Sequence, residues 1–181
     1  TRYWRDWSSD VCSSDLVFDN VTKSIRVLSA GSVEKANSGH PGMPLGMADV
    51  GTVLYKNFLK VTNNCPDWIN RDRFVLSAGH GSALLYSLLH FNGFDISIND
   101  MKNFRQLKSK TPGHPELDTK LGIDITTGPL GQGFATGVGL ALAESYLSNT
   151  FGDKIINHLI NINNELKKPK RIIMSESDNF I

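Results

Sequence analysis

Net charge is nearly absent from this 181-residue sequence: 19 Lys and Arg against 18 Asp and Glu leave +1. A nucleic-acid surface needs a basic excess or stripe to neutralise phosphates, so no nucleic-acid partner is expected. No apolar run approaches the roughly 18 residues of a membrane-spanning helix, and no membrane role is expected. The first residues hold no apolar segment of the secretory type, so no signal peptide is expected. Cysteine is scarce: Cys12 and Cys65 form neither a metal-ligand spacing nor a disulfide framework. A reducing, cytoplasmic setting follows as the default. Disorder is excluded for the chain as a whole, because 40% hydrophobic and 20% charged residues is an ordinary globular mixture. The length allows one sizeable domain with a real core.

What the sequence does have is glycine, 16 residues of it. They cluster at Gly39, Gly42 and Gly46, at Gly79 and Gly81, and at Gly128, Gly131, Gly133, Gly137 and Gly139. Glycine lets backbone approach a ligand or a neighbouring element closely, so clusters between apolar segments suggest a site built from several loops.

Residues 1–16 differ from the rest. They show neither a helical nor a strand period, hold two of the three Trp residues and repeat Ser-Ser-Asp. The string resembles a translated adapter or assembly artefact. The other reading is a natural, poorly ordered tail, and either way residues 1–16 are set aside from the fold. Residues 17–181 then read as one domain.

From Val21 the pattern becomes periodic. Ile25, Leu28, Val33 and Ala36 follow a helical stripe that Gly39 should stop. Pro44 suits the first turn of a second helix that runs through Leu45 to Phe58. Phe74-Val75-Leu76-Ser77 reads as a short buried strand, and Gly79-His80-Gly81-Ser82 turns out of it into an apolar helix, Ala83 to Phe91, ended by Gly93. Ser97 with Asp100 makes a capping box for a helix through Leu107. Residues 108–120 read as a long loop. Gly133 to Leu147 reads as a helix lined for close packing by Ala135, Gly137, Gly139, Ala141 and Ala143. Arg171 to Met174 is a second strand candidate, after a polar, Lys-rich stretch that reads as a solvated loop. Strands alternating with helices indicate an α/β domain with a mostly parallel sheet.

Three of the five histidines directly follow a glycine: His40, His80 and His114. On a Gly/Pro loop the imidazole is displayed, free to donate to phosphate or hydroxyl oxygens or to move protons near neutral pH. Any one of them alone is most simply a residue that tolerates a turn. The three together favour a polyhydroxylated or phosphorylated ligand. His90, inside an apolar helix, reads as a packed or edge residue, and nothing singles out His158. Helix starts after Gly79-His80-Gly81-Ser82 and after Thr126-Thr127-Gly128-Pro129-Leu130-Gly131-Gln132-Gly133 present free amides that favour an anion. Neither segment matches the P-loop or dinucleotide fingerprint.

Longer motifs carry a resemblance. Ser38-Gly39-His40-Pro41-Gly42-Met43-Pro44-Leu45-Gly46-Met47-Ala48-Asp49 resembles the N-terminal signature of transketolases. The family's order continues with Arg71 to Ser82, Lys102 to Leu107, Pro112 to Glu116 and Thr126 to Gly133. The resemblance runs from about Ser24 to about His158. It implies the thiamine diphosphate-binding fold and an enzyme of the pentose phosphate pathway. That enzyme passes a two-carbon ketol unit from a ketose phosphate to an aldose phosphate, with the cofactor as electron sink. By the same resemblance His40 and His114 have catalytic, substrate-binding roles, His80 lies near the cofactor diphosphate, and Gly128, Pro129 and Leu130 lie against the cofactor. Sugar phosphates as partners, a cytoplasmic homodimer, and Mg²⁺ or a similar ion such as Ca²⁺ are implied too.

The departures bear on the metal. The family's Gly-Asp-Gly motif is missing, and Gly152-Asp153-Lys154 is a poor substitute. Asp178-Asn179-Phe180-Ile181 resembles the family's downstream metal segment, which implies Asn179 and the Ile181 carbonyl as ligands. A loss between about His158 and Asn164 would explain the gap. The chain thus reads as a fragment of the diphosphate-binding domain, expected to be inactive alone and to bind the cofactor poorly. Two alternatives stand beside this. One is another ketol-transferring enzyme, a dihydroxyacetone or deoxyxylulose phosphate synthase; Ser38 to Gly42 together with Pro112 to Glu116 favour transketolase over the latter. The other is a non-catalytic domain that binds a phosphorylated ligand or a partner chain.

Overall fold

The computed structural model describes residues 9–152 and residue 156, with residues 9–15 as backbone only. Five α-helices carry the fold: α1 (Ser9–Ala36), α2 (Gly42–Val53), α3 (Ser82–Phe91), α4 (Ile98–Lys102) and α5 (Gln132–Phe151). Helix α3 is the centre. Its residues Ser82 to Leu89 are all buried. A helix apolar on every side must be surrounded, and α1, α2 and α4 pack around it. Ile25, Leu84, Tyr86, Leu88, Leu89, Ile96, Met101 and Phe104 form the middle of the core. Small polar residues let the helices approach: Thr22 bonds Thr52, and the Ser29 and Ser87 hydroxyls lie 3.2 Å apart.

Helix α1 begins before the expected Val21 and takes in residues 9–16. It ends at Asn37 rather than at Gly39. Asn37 adopts a φ of 48°, and its amide bonds the Glu34 carbonyl while the Ser38 amide bonds that of Val33. This left-handed cap satisfies carbonyls that a helix end leaves open. Gly39, with a φ of 135°, makes the next bend, because a Cβ there would lie 3.0 Å from Val33 Cγ2 and 3.2 Å from Phe104 Cε1. Pro44 falls in the first turn of α2, as expected. The last turn of that helix widens to a π turn, Leu54–Phe58, which leaves Leu54 and Tyr55 both buried.

The Ser97–Asp100 capping box forms, with both reciprocal bonds present. Its helix stops at Lys102 instead of Leu107. Phe104 turns into the core and Arg105 takes a φ of 62°, with its amide bonded to the Thr111 carbonyl. Burial disfavours the Asp100 charge, but bonds from the Ser97 hydroxyl and amide, with Lys110 nearby, hold its carboxyl below the usual carboxylate range. The box therefore contributes stability above about pH 3.9, and that contribution is lost as pH falls through the lower folded value. Ser97→Ala is expected to cost about 1 kcal/mol in denaturant unfolding at neutral pH, and less at pH 2.

Among the described residues no strand forms, and the bridge that joins two of them is the antiparallel pair Asp118 and Ile123. Phe74 to Ser77 is buried as expected, and Val75 makes an isolated bridge. The Phe74 amide donates to the Asp124 carboxylate at 3.2 Å. The other strand candidate, Arg171 to Met174, lies outside the described residues. Helix α5 runs on to Phe151, and its buried positions are Gly133, Gly137, Glu144 and Ser148. Ala135, Gly139 and Ala143 are exposed, against expectation. The reason is helical spacing: the buried positions recur at intervals of four, seven and four residues, which is one helix face, and those three fall on the other side.

Candidate active site

Four loops meet at the N-terminal end of α3. The first carries His40 and leads into α2. Its position is set by Met43, which packs on Gly81: a Cβ there would lie 2.3 Å from Met43 Sδ. The second is the 3₁₀ turn Gly79–Gly81, which holds His80. The rings of His40 and His80 stand edge to face with centroids 5.1 Å apart.

The third loop carries His114. Two residues of α3 hold its backbone: Ser82 Oγ donates to the Gly113 carbonyl at 2.8 Å, and Tyr86 Oη donates to the Pro112 carbonyl at 2.9 Å. Burial pushes the Tyr86 hydroxyl well above its ordinary range, with Glu116 adding to the effect, so it stays a proton donor. The fourth loop is Thr126 to Gly131. The Thr127 amide bonds the Pro115 carbonyl, and Thr126 Oγ1 accepts from the Leu117 amide. A Cβ on Gly128 would make ordinary contact with the His114 ring at 3.7 Å. A Cβ on Gly79 would meet Thr127 Oγ1 at 2.7 Å and the Gly128 amide nitrogen at 2.8 Å. The second and fourth loops therefore touch backbone to backbone.

His40 and His114 are exposed, His80 half-buried, and Pro129 and Leu130 exposed. The expected residues His40, His80, His114, Gly128, Pro129 and Leu130 are thus on loops that lie together. The metal expectation, Asn179 and Ile181, lies outside the described residues, as does His158. Among the described residues no group of three or more His, Cys, Asp or Glu is placed to hold a metal ion. Nor is any helix among them long and apolar enough to cross a membrane.

Two features bear on what the loops could hold. Thr127 is 2% exposed, and its hydroxyl has no hydrogen-bond partner. A buried hydroxyl without a partner is costly, and an oxygen- or nitrogen-rich ligand would satisfy it. The second is the start of α3, which has no side-chain cap and directly follows the His80 turn.

The support beneath the site escaped sequence reading. Arg71 and Asp124 form an ion pair with side chains 5% and 6% exposed. Asp124 also accepts from the Phe74 amide, so it ties the approach to His80 to the approach to Gly128. The neighbouring Asp72 is pushed up by burial, although the Lys60 amide donates to it at 2.7 Å. Asp124 had one sequence signal: a lone acid between Ile123 and Ile125.

Comparison with known proteins gives the same direction. The model of the family described as transketolase, thiamine diphosphate binding domain, matches residues 18–163. A transketolase of Bacillus subtilis is 56% identical over 143 residues, covering 79% of this chain and 21% of the relative. Transketolase 1 of Escherichia coli is 55% identical over 141 residues, covering 76% and 21%. A solved transketolase of Campylobacter jejuni superposes with a TM-score of 0.76 at 53% identity, covering 80% of this chain and 22% of that one. A Pichia stipitis transketolase in complex with sedoheptulose-7-phosphate gives 0.70 at 50% identity, covering 74% and 20%. The chain spans about a fifth of the length of these relatives.

Proposed function

The chain belongs to the transketolase thiamine diphosphate-binding domain family, and from that premise we propose that its four loops form the diphosphate side of a ketol-transfer site. The transfer would run from a ketose phosphate to an aldose phosphate. The observation that carries this is the convergence of three glycine-borne histidines on one end of α3, with His40 and His80 5.1 Å apart and His114 against Gly128. Thiamine diphosphate, when bound, supplies the electron sink for C–C cleavage. The chain's own residues would do the rest. His80 and the uncapped start of α3 would take diphosphate oxygens. Gly128, Pro129 and Leu130 would lie along the cofactor, with the Thr127 hydroxyl as an added donor. His40 and His114 would hold sugar hydroxyls and handle protons there. The sugar phosphate complex of the Pichia stipitis relative supports the substrate class.

The finer parts of the reading rest on resemblance. Mg²⁺ or Ca²⁺ would accompany the diphosphate, with Asn179 and Ile181 among its ligands. A cytoplasmic homodimer with a mostly parallel sheet would complete the enzyme. The outer face of α5, where Phe134, Val138, Leu142 and Tyr146 are exposed, suits such burial.

Paired substitutions test the roles. In the intact enzyme that carries this domain, His114→Ala should raise the sugar phosphate KM, while His80→Ala should weaken thiamine diphosphate binding. Each effect is expected at about one to two decades, the worth of a hydrogen bond to a charged or buried group. Equal loss of cofactor affinity in both variants contradicts the assignment.

A further inference from the structure

Arg105 is the residue beside this site that the proposed chemistry leaves without a task. Three observations concern it. Its backbone holds a φ of 62°, a region that side chains other than Gly, Asn and Asp seldom enter. Its amide bonds the Thr111 carbonyl at 2.9 Å, which closes the loop that leads to Pro112. Its guanidinium lies flat on Gly113: a Cβ there would lie 2.9 Å from Cζ, 3.0 Å from Nη1 and 3.2 Å from Nε. Nη1 is buried and has no hydrogen-bond partner.

A strained backbone and a buried donor without an acceptor both cost stability, and they persist only where the surroundings hold them. Their common product is the placement of one flat cation under the residue that precedes His114. The opposite support is already in place, since Ser82 and Tyr86 hold the carbonyls of Gly113 and Pro112. Thr111, fully buried, bonds the Asp100 carbonyl through its hydroxyl at 2.7 Å and anchors the loop's entry. Helix α3 grips the loop by its carbonyls, and the Arg105 guanidinium fills the space that a Cβ on Gly113 would take.

We propose that Arg105 is a positioning residue, which sets the direction of the His114 imidazole by clamping Gly113 against α3. It acts through His114 and not on substrate, and the kinetic part of its test rests on the proposed role of His114 in holding sugar. The planar group is the working part, so lysine is no replacement.

The test uses the intact enzyme with its histidines ¹³C-labelled at Cε1, the His114 signal being assigned by its loss in His114→Ala. Arg105→Asn is the main variant, because Asn tolerates the left-handed backbone and removes the guanidinium. Gly113→Ala perturbs the same contact from the other side. Both should shift the His114 signal in the substrate-free enzyme and leave that of His80 in place. Both should raise the sugar phosphate KM about tenfold with kcat within about twofold, the pattern of lost uniform binding. The double variant should be no worse than either single one, since both remove one contact. Arg105→Lys should behave as Arg105→Asn. A shifted signal with unchanged KM keeps the positioning role and overturns the sugar-binding role of His114. An unmoved His114 signal, additive effects, or full recovery with lysine overturns the proposal.

Discussion

Asp124→Ala is expected to destabilise the domain by about 3–5 kcal/mol, the usual cost of leaving a buried charge without its partner. The Arg71 guanidinium would then sit 5% exposed with no anion, and its Nε already lacks a hydrogen bond. The Phe74 amide would lose its acceptor as well. Domains are stable by only about 5–15 kcal/mol, so this single change reaches a large share of the total. Denaturant unfolding measures it. The double variant Arg71→Met, Asp124→Leu separates charge from shape. Removing both partners should recover most of the loss, because the desolvation of the pair offsets much of its attraction. A double variant as unstable as Asp124→Ala would mean that the Phe74 amide, rather than the ion pair, carries the effect.

Gly79→Ala is expected to act on the site more than on the core. The added methyl would lie 2.8 Å from both the Gly128 amide nitrogen and the Thr127 carbonyl carbon. Those are backbone atoms and cannot rotate aside, so the His80 turn and the Gly128 loop must separate. Overpacking of this kind costs about 1–3 kcal/mol. The displacement should lower turnover of the intact enzyme about 10²-fold, as a misplacement of about 1 Å does in other sites. Steady-state kinetics at saturating thiamine diphosphate is the measurement. Gly139→Ala, in helix α5, is the matched control, because its Cβ would meet nothing within 4 Å. Equal loss in both would show that the Gly79 contact is nothing special.

Much of this was open to reading from the chain alone. Pro44 in the first turn of α2, the Ser97–Asp100 box and the apolar run of α3 are local devices, each written in a few adjacent residues. So is the glycine before each of His40, His80 and His114, because a displayed imidazole and a backbone that allows it must be neighbours in sequence. The motifs from Ser38 to Gly133 carried the family, which the matched residues 18–163 bear out.

What the chain alone did not show was mostly the work of contacts beyond the local pattern. Helix α4 ends at Lys102 because Phe104 finds the core and Arg105 finds Thr111. Phe74 to Ser77 is buried as a central strand would be, and only the tertiary structure shows that its first amide goes to Asp124, some fifty residues away. The small residues of α5 looked equivalent, and only contact with Ser77 marks Gly133 as a point of close approach, where a Cβ would lie 2.4 Å from Ser77 Cα.

The sequence by itself determined the candidate site residues, most of the helices and the family the chain joins, since composition, caps and motifs are short-range properties. Only the tertiary structure decided that the four loops share one end of α3, that Arg71 and Asp124 brace them from below, and that Arg105 lies under Gly113. These are meetings between residues far apart in the chain. Burial makes them matter, because an ion pair or a missing Cβ has its full effect only where water and spare volume are excluded.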